Sequence, residues 1–361
     1  MRKLTLDFAA AKADVLLVTN AFNVRYLTGF TGSNGACLCF ADGRPHVLFT
    51  DPRYTIQAGQ EYPEGKVQIV KKTRLMALAA LEFLAKHKSR RIGIDPNDIT
   101  VASMAVLEKA LPNSAAFVHL PNVVETQRMV KDEAELELIR KSCLTNCAAF
   151  EATVKKIKPG MREADVAAEL EYQQRKRGAS AAAFETIVAA GPRTALPHAR
   201  PTNAKIGENV LLLIDMGAIE DGYTSDMTRM LFVGTSGKGD LPKQVRGWYA
   251  DVLEAQLAAI DAVREGASAG SVDRAARQVL KAKGHGDLFT HSTGHGLGLE
   301  VHESPGLRQK DKTRLQAGMV VTIEPGIYVE GVGGIRIEDT VAVTKGGCEI
   351  LTPTPRELIQ I

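Results

Sequence analysis

Short apolar runs broken by polar turns dominate the first third of the chain. Val15-Leu16-Leu17-Val18 is one such run, ended by Asn20, and Ala36-Cys37-Leu38-Cys39-Phe40 is another, ended by the turn signal Asp42-Gly43. His46 to Thr50 and Arg91 to Asp95 read as further strands, whereas Leu75 to Leu84 has the composition and spacing of a helix. Strands that alternate with helices make an α/β layer and not an all-β domain. The texture then changes. From Lys131 onward, Asp132, Glu133, Glu135 and Glu137 precede Arg140 and Lys141, an order that suits the helix dipole and predicts a helix starting near Asp132. The boundary expected from this change gives an N-terminal domain over 1–122 and a second domain over 123–361.

The second domain carries an internal repeat at an offset of 106 residues. Ile157, Gly160, Val166 and Gly178 fall on Val263, Gly266, Val272 and Gly284. Each copy reads as a helix, a Gly-containing turn, a second helix and a closing Gly where a C′ glycine is expected. Each then enters apolar strands, Asn209 to Met216 in the first and Met319 to Ile323 in the second. Two α+β halves related in this way are expected to pack about a pseudo-twofold axis, with any site at their junction drawing ligands from both.

Composition narrows the classes of function. Of 361 residues, 45% are apolar and 24% charged, which excludes a disordered, collagen-like or coiled-coil chain. Lys+Arg (45) and Asp+Glu (42) nearly cancel to a net charge of +3, so no bulk field directs the protein to nucleic acid or to a membrane. The five cysteines are odd in number and scattered, which argues for reduced thiols and against a disulfide framework. Asp7, Lys12 and Asp14 interrupt any apolar stretch near the start, and the longest unbroken apolar run, Leu75 to Leu81, is too short to span a bilayer. A cytoplasmic protein is the expectation.

Four acids and one histidine carry the chemistry. Asp215 closes the run Val210 to Ile214, and Asp226 follows about a hairpin later; Glu324 closes Val320 to Ile323, and Glu338 follows in the same way. The offset grows to 109 between Asp215 and Glu324 and to 112 between Asp226 and Glu338, so the second copy must hold small insertions. A single strand-end Asp is usually a turn-former or cap. Four at matched positions of two repeats are costly to bury unless they bind cations, and suggest a dinuclear metal site in which carboxylates bridge two ions. His295, in Gly294-His295-Gly296, adds a nitrogen ligand suited to zinc, manganese or cobalt. His291, His302 and His198 cluster with this region and are natural donors to a substrate carbonyl or a developing oxyanion. The string Gly266-Ala267-Ser268-Ala269-Gly270 matches a nucleophile elbow only in letters, since it follows a helical stretch and falls on the turn of the repeat. No phosphate-binding loop is present, which leaves metal-assisted hydrolysis.

In order and local context, Asp215, Asp226, His295, Glu324 and Glu338 resemble the five ligands of the pita-bread metallopeptidases, which include methionine aminopeptidase, aminopeptidase P, prolidase and the fold relative creatinase. Ser292 to Glu303, Ile323-Glu324-Pro325-Gly326-Ile327-Tyr328 and Gly222-Tyr223-Thr224-Ser225-Asp226 are similar to the proline-peptidase branch, and Asn23 to Gly35 resembles the creatinase-type N-terminal domain. The resemblance implies an α/β N-terminal domain followed by an α+β pita-bread catalytic domain. It also implies a homodimer, and peptide substrates with proline at the second position. It assigns Asp226 and Glu338 as bridges between two divalent ions, Asp215 to one ion, and His295 and Glu324 to the other. Manganese is the implied metal, with cobalt or zinc compatible. Glu324 becomes the proton shuttle, His302 and His198 steady substrate and tetrahedral intermediate, and His291 lines the proline pocket. Arg336 would orient Glu338 or the substrate, or simply form an ion pair beside the ligands.

Within the family, aminopeptidase P takes Xaa-Pro peptides of greater length and prolidase takes the dipeptide, whose free carboxylate benefits from an Arg. Some prolidases carry that Arg four residues after the histidine matching His302; here the position is Gly306, with Arg308 the nearest basic residue. The departure favours an Xaa-Pro aminopeptidase, with prolidase the alternative, because Arg308, Arg336, Arg200 or an N-domain Arg remains to serve the carboxylate. Creatinase needs no metal pair, and a non-catalytic binding protein would lack ligands, whereas all five are present. The segment Asp51-Pro52-Arg53-Tyr54 resembles a motif near substrate in some relatives and reads more simply as a structural turn.

Overall fold

A computed structural model describes residues 3–71, 75–87, 89–234 and 242–361. The chain divides into two compact units, Met1–Arg128 and Met129–Ile361.

The first unit contains β1 (Val15–Val18), α1 (Ala21–Thr28), β2 (Gly35–Phe40), β3 (Val47–Thr50), α2 (Thr55–Glu61), β4 (Lys66–Ile69), α3 (Met76–Ala85), β5 (Arg91–Ile94), α4 (Val101–Ala110), β6 (Ala116–His119) and α5 (Val123–Arg128). The strands form one sheet in the order β4-β3-β2-β1-β5-β6. β1 pairs parallel with β5 and antiparallel with β2. The apolar runs of the sequence are these strands, buried throughout β1 and β3 because helices cover the sheet. α3 turns Ala80, Leu81 and Leu84 into the core with Leu17, Leu38 and Phe49. Cys37 and Cys39 share one face of β2, with Sγ atoms 4.0 Å apart, as small core residues. Asp51 caps a short 3-10 turn, Pro52–Tyr54, and accepts hydrogen bonds from the Arg53 side chain and Asn34, so this motif is a turn within its unit. The unit extends past the boundary expected at residue 123. Glu125 of α5 accepts from Asn23, and Arg128 donates to the same Asn23, which ties α5 back to α1.

The second unit opens with α6 (Glu133–Val154) and α7 (Glu163–Lys176). Asp132 and Glu135 form a reciprocal capping box, the local reason that α6 begins where the charge order predicts. Then come β7 (Ala181–Ala182), β8 (Ile187–Ala190), β9 (Val210–Met216), β10 (Ala218–Glu220), β11 (Tyr223–Thr224) and β12 (Met227–Val233). The second copy begins at α8 (Lys243–Ala262) and α9 (Ala269–Ala282). It continues through β13 (Gly294–Gly296), β14 (Glu303–Leu307), β15 (Val320–Ile323), β16 (Gly326–Val329), β17 (Gly333–Arg336), β18 (Asp339–Val343), β19 (Cys348–Ile350) and β20 (Ile359–Gln360).

The duplication is visible position by position. Val166 and Val272 are fully buried; Gly160 and Gly266 occupy matching turns with φ of 87° and 82°, where a side chain would be strained. Ser268 is the N-cap of α9 and accepts from the Ser271 amide, so the Gly-x-Ser-x-Gly string is a helix entry. The sheets run β20-β12-β9-β8 in the first copy and β14-β13-β15-β18-β19 in the second. Between β9 and β12 lies the short hairpin β10–β11, with two paired positions; between β15 and β18 lies the longer hairpin β16–β17, with four. That difference accounts for the growth of the offset from 109 to 112. Cys143 and Cys147 are buried on α6, where the Cys147 thiol touches the Met227 sulfur. Among the described residues, no helix is long and apolar enough to cross a membrane.

Candidate metal centre and active site

The acids stand at strand ends of two different sheets. Asp215 lies on β9 opposite Thr228 of β12 and Ile187 of β8. Asp226 immediately precedes β12, Glu324 follows β15 and Glu338 precedes β18. His295 sits at the centre of β13, held by the Thr322 hydroxyl, which accepts from its backbone N–H at 3.1 Å. The flanking glycines are required by crowding. A Cβ on Gly294 would lie 1.9 Å from the Thr322 carbonyl oxygen, and one on Gly296 would lie 2.3 Å from that of Ser304.

Ligand atoms of Asp226, His295 and Glu338 all lie within 4.8 Å of one another. His295 Nε2 is 3.6 Å from Asp226 Oδ2 and 3.6 Å from Glu324 Oε1. Its Nδ1 faces the Gly296 carbonyl at 3.0 Å, which assigns the proton to Nδ1 and leaves the Nε2 lone pair directed at the carboxylates. Burial lowers the His295 pKa to about 4, so the ring is neutral near pH 7. Burial also raises Asp226, Glu338 and Glu324, the last to about 8, with neighbouring carboxylates adding to each. Asp215 Oδ1 and Asp226 Oδ1 are buried without a hydrogen-bond partner. Carboxylates thus converge with two of their buried oxygens left without a donor, an arrangement that suits bound cations. The oxygen-and-imidazole donor set fits divalent ions such as manganese, cobalt or zinc.

Arg336 departs from the simplest expectation. Its buried guanidinium donates to Asp215 Oδ2 at 2.6 Å and not to Glu338. It reaches Glu338 through Thr228, whose hydroxyl accepts from Arg336 Nε at 3.1 Å and donates to Glu338 Oε2 at 2.7 Å. Arg336 Nη1 also donates to the Pro197 carbonyl and to the Tyr328 oxygen, each at 3.0 Å. The Tyr328 hydroxyl in turn pairs with His291 Nε2 at 2.8 Å, while His291 Nδ1 faces the Ser292 carbonyl. His291 therefore accepts at Nε2, and burial lowers its pKa to about 4.

The four acids and His295, with His291 and Arg336, line one cavity of about 490 Å³ that has His198, His302 and Arg200 on its wall. His198 and His302 are exposed. The ring of His302 stacks edge-on to His295 at 4.4 Å between centroids. Burial, then the proximity of His198, lowers the His302 pKa. Arg200 Nε lies 3.0 Å from Glu185 Oε2, and both side chains are largely solvated. Gly306 lies on β14, outside this lining. Sequence reasoning assigned no role to Thr228 or Tyr328. The available signal was spacing: Thr228 lies two residues after Asp226, and Tyr328 four residues after Glu324.

The metallopeptidase family M24 model matches residues 137–345, and the creatinase/prolidase N-terminal domain model matches residues 1–130. The Xaa-Pro dipeptidase of Pyrococcus furiosus is 38% identical over 346 residues, 96% of this chain and 95% of its own. Among solved structures, Xaa-Pro dipeptidase from Bacillus anthracis superposes with a TM-score of 0.91 at 36% identity, over 98% of this chain and 96% of its own. The X-Pro aminopeptidase from Thermotoga maritima superposes with a TM-score of 0.89 at 35% identity, over 97% and 98%. With two carboxylate-bearing sheets facing across a duplicated α+β fold and a creatinase-type domain ahead of them, the chain belongs to metallopeptidase family M24.

Proposed function

We propose that this protein is a divalent-metal-dependent hydrolase of the Xaa-Pro bond, acting first on Xaa-Pro dipeptides. The convergence of buried carboxylates and an imidazole from both repeats in one cavity, with Asp215 Oδ1 and Asp226 Oδ1 lacking a hydrogen-bond partner, carries the reading. Asp226 and Glu338 would bridge two ions, with Asp215 on one and His295 and Glu324 on the other, and manganese is the ion assigned first. When bound, such ions polarise the scissile carbonyl and acidify the attacking water.

The chain's own groups do the remainder. Glu324 takes a proton from the water and delivers it to the leaving proline nitrogen. His302 and His198 donate from the cavity wall to the carbonyl oxygen as it gains charge. Arg336 fixes Asp215 in place by a charge-assisted hydrogen bond. His291, held by the Tyr328 hydroxyl, forms the wall against which the proline ring packs.

The preference for dipeptides reverses the expectation drawn from Gly306. Relatives that match nearly the whole chain include Xaa-Pro dipeptidases, and Arg200 on the cavity wall supplies a cation for a free proline carboxylate. The Arg200–Glu185 ion pair supports the second reading, an aminopeptidase, because a neutral peptide bond needs no such cation. A charge-assisted contact of about 1.5–3 kcal/mol corresponds to roughly 10–100-fold in kcat/KM. The test compares the manganese-loaded enzyme on one Xaa-Pro dipeptide and the matching Xaa-Pro-Yaa tripeptide, with metal content measured by mass spectrometry. The dipeptide should be favoured by about tenfold or more, and Arg200→Met should remove that advantage. A tripeptide preference replaces this reading with the aminopeptidase. Hydrolysis of neither substrate by fully loaded enzyme refutes both.

A further inference from the structure

Asp226 and Glu338 immediately precede strands of separate sheets: β12 pairs with β9 and β20, and β18 with β15 and β19. No β-ladder therefore sets the distance between the two carboxylates. When ionised they also repel, since like charges in a buried site disfavour each other. Something other than sheet pairing must hold the two backbones at one spacing.

Arg229 occupies that junction. It is 1% exposed and among the largest fully buried side chains of the protein. Nη1 donates to the Thr228 carbonyl at 3.0 Å on its own strand and to the Glu338 carbonyl at 2.5 Å across the gap. Nη2 donates to Asp339 Oδ1 at 2.8 Å and to the Thr354 carbonyl at 2.6 Å; Nε donates to the Pro355 carbonyl at 2.9 Å. All five guanidinium N–H groups are thus engaged. Asp339, next to Glu338, is fully buried and accepts further from Gln256, Thr352 and Arg356. Two lesser ties join the same segments: the Glu338 amide donates to the Thr228 carbonyl, and the Thr340 hydroxyl donates to the Asp226 carbonyl. A buried ion pair is a weak source of stability compared with apolar packing, but the planar guanidinium fork fixes geometry in a way a point charge does not.

We propose that Arg229, anchored by Asp339, is a positioning residue that clamps the Glu338 backbone to β12 and so sets the Asp226–Glu338 spacing needed to hold two divalent ions together. The inference rests on the assignment of those carboxylates as shared ligands. Arg229 is not part of the cavity lining; it acts through the Glu338 carbonyl. Arg229→Lys keeps the charge and removes the fork.

The test titrates manganese into chelator-stripped full-length protein by calorimetry, records the electron paramagnetic resonance of the loaded protein, and measures thermal midpoints. Wild type should bind two ions and show the spectrum of an exchange-coupled pair. Arg229→Lys should bind the second ion about 10–100-fold more weakly and lose the coupled spectrum. Gln256→Met, which cuts only the far side of Asp339, should lower the midpoint while leaving ion affinity and spectrum intact. Wild-type affinity and coupling in folded Arg229→Lys overturn the proposal. So does a loss of affinity that simply tracks the midpoint across both variants. Should Arg229→Lys fail to fold, Asp339→Asn decides by the same criterion, with unchanged second-ion affinity as the overturning result. Wild type that takes up no ion pair fails differently, because it removes the ligand assignment itself before any variant is compared.

Discussion

Glu324 allows the electrostatic reading of the site to be tested without any substrate. Burial raises its carboxyl from the ordinary 4.5 to about 8, against the pull of Arg336 and with the push of Asp215. Below about pH 4.5 the group is protonated in folded and unfolded chains alike and contributes no penalty. Above that, the unfolded chain releases the proton while the folded chain retains it, so stability falls as pH rises and levels off above about 8. At about 1.4 kcal/mol per pH unit, the penalty from this residue is roughly 3 kcal/mol at pH 7 and roughly 5 by pH 9. The perturbation is removal of divalent ions with a chelator, in wild type and in Glu324→Gln. Urea unfolding of the stripped proteins at pH 5, 7 and 9 should show wild type losing stability that the variant keeps. The variant should therefore be the more stable of the two at pH 9. Saturating manganese should reverse that order, because the amide cannot supply the anionic ligand. Parallel stability profiles for the two stripped proteins would refute the account, since burial of an ionisable Glu324 would then cost nothing.

Two further outcomes follow from the geometry. His302→Ala should keep both ions and lower kcat by roughly 10²–10³, the loss typical of one oxyanion donor; loss of metal from folded His302→Ala would make it a ligand instead. Gly294→Ala places a methyl 1.9 Å from the Thr322 carbonyl, so β13 must shift, at an expected cost of about 1–3 kcal/mol by urea unfolding. An unchanged unfolding midpoint would show that the strand spacing is not constrained there.

Local chemistry made much of this legible. The strand runs at residues 15–18 and 91–94, the helix after Leu75 and the start of α6 at Asp132 are each specified by neighbours a few residues apart: apolar period, turn residues and a reciprocal cap. The duplication was legible for the same reason, since its glycines sit where the backbone takes positive φ and its valines where each copy buries the same face. The end of the first unit was not. α5 joins it through Asn23, a residue about a hundred positions earlier, and no local pattern announces such a bond.

The candidate site divides along the same line. The identity and order of Asp215, Asp226, His295, Glu324 and Glu338 are set by the sequence, because an acid at the end of an apolar strand is conspicuous wherever it is read. Which acid meets which partner was decided only by the tertiary structure. Arg336 lies two residues from Glu338 yet donates to Asp215, because β17 turns its guanidinium toward β9 and leaves Thr228 to bridge to Glu338. Arg229 and Asp339 look like ordinary charges on their strands and become a buried clamp only when two sheets meet. Period and propensity act within an element, whereas the distance between carboxylates of separate sheets depends on packing across the repeat, and there the side chains of both copies share one buried volume.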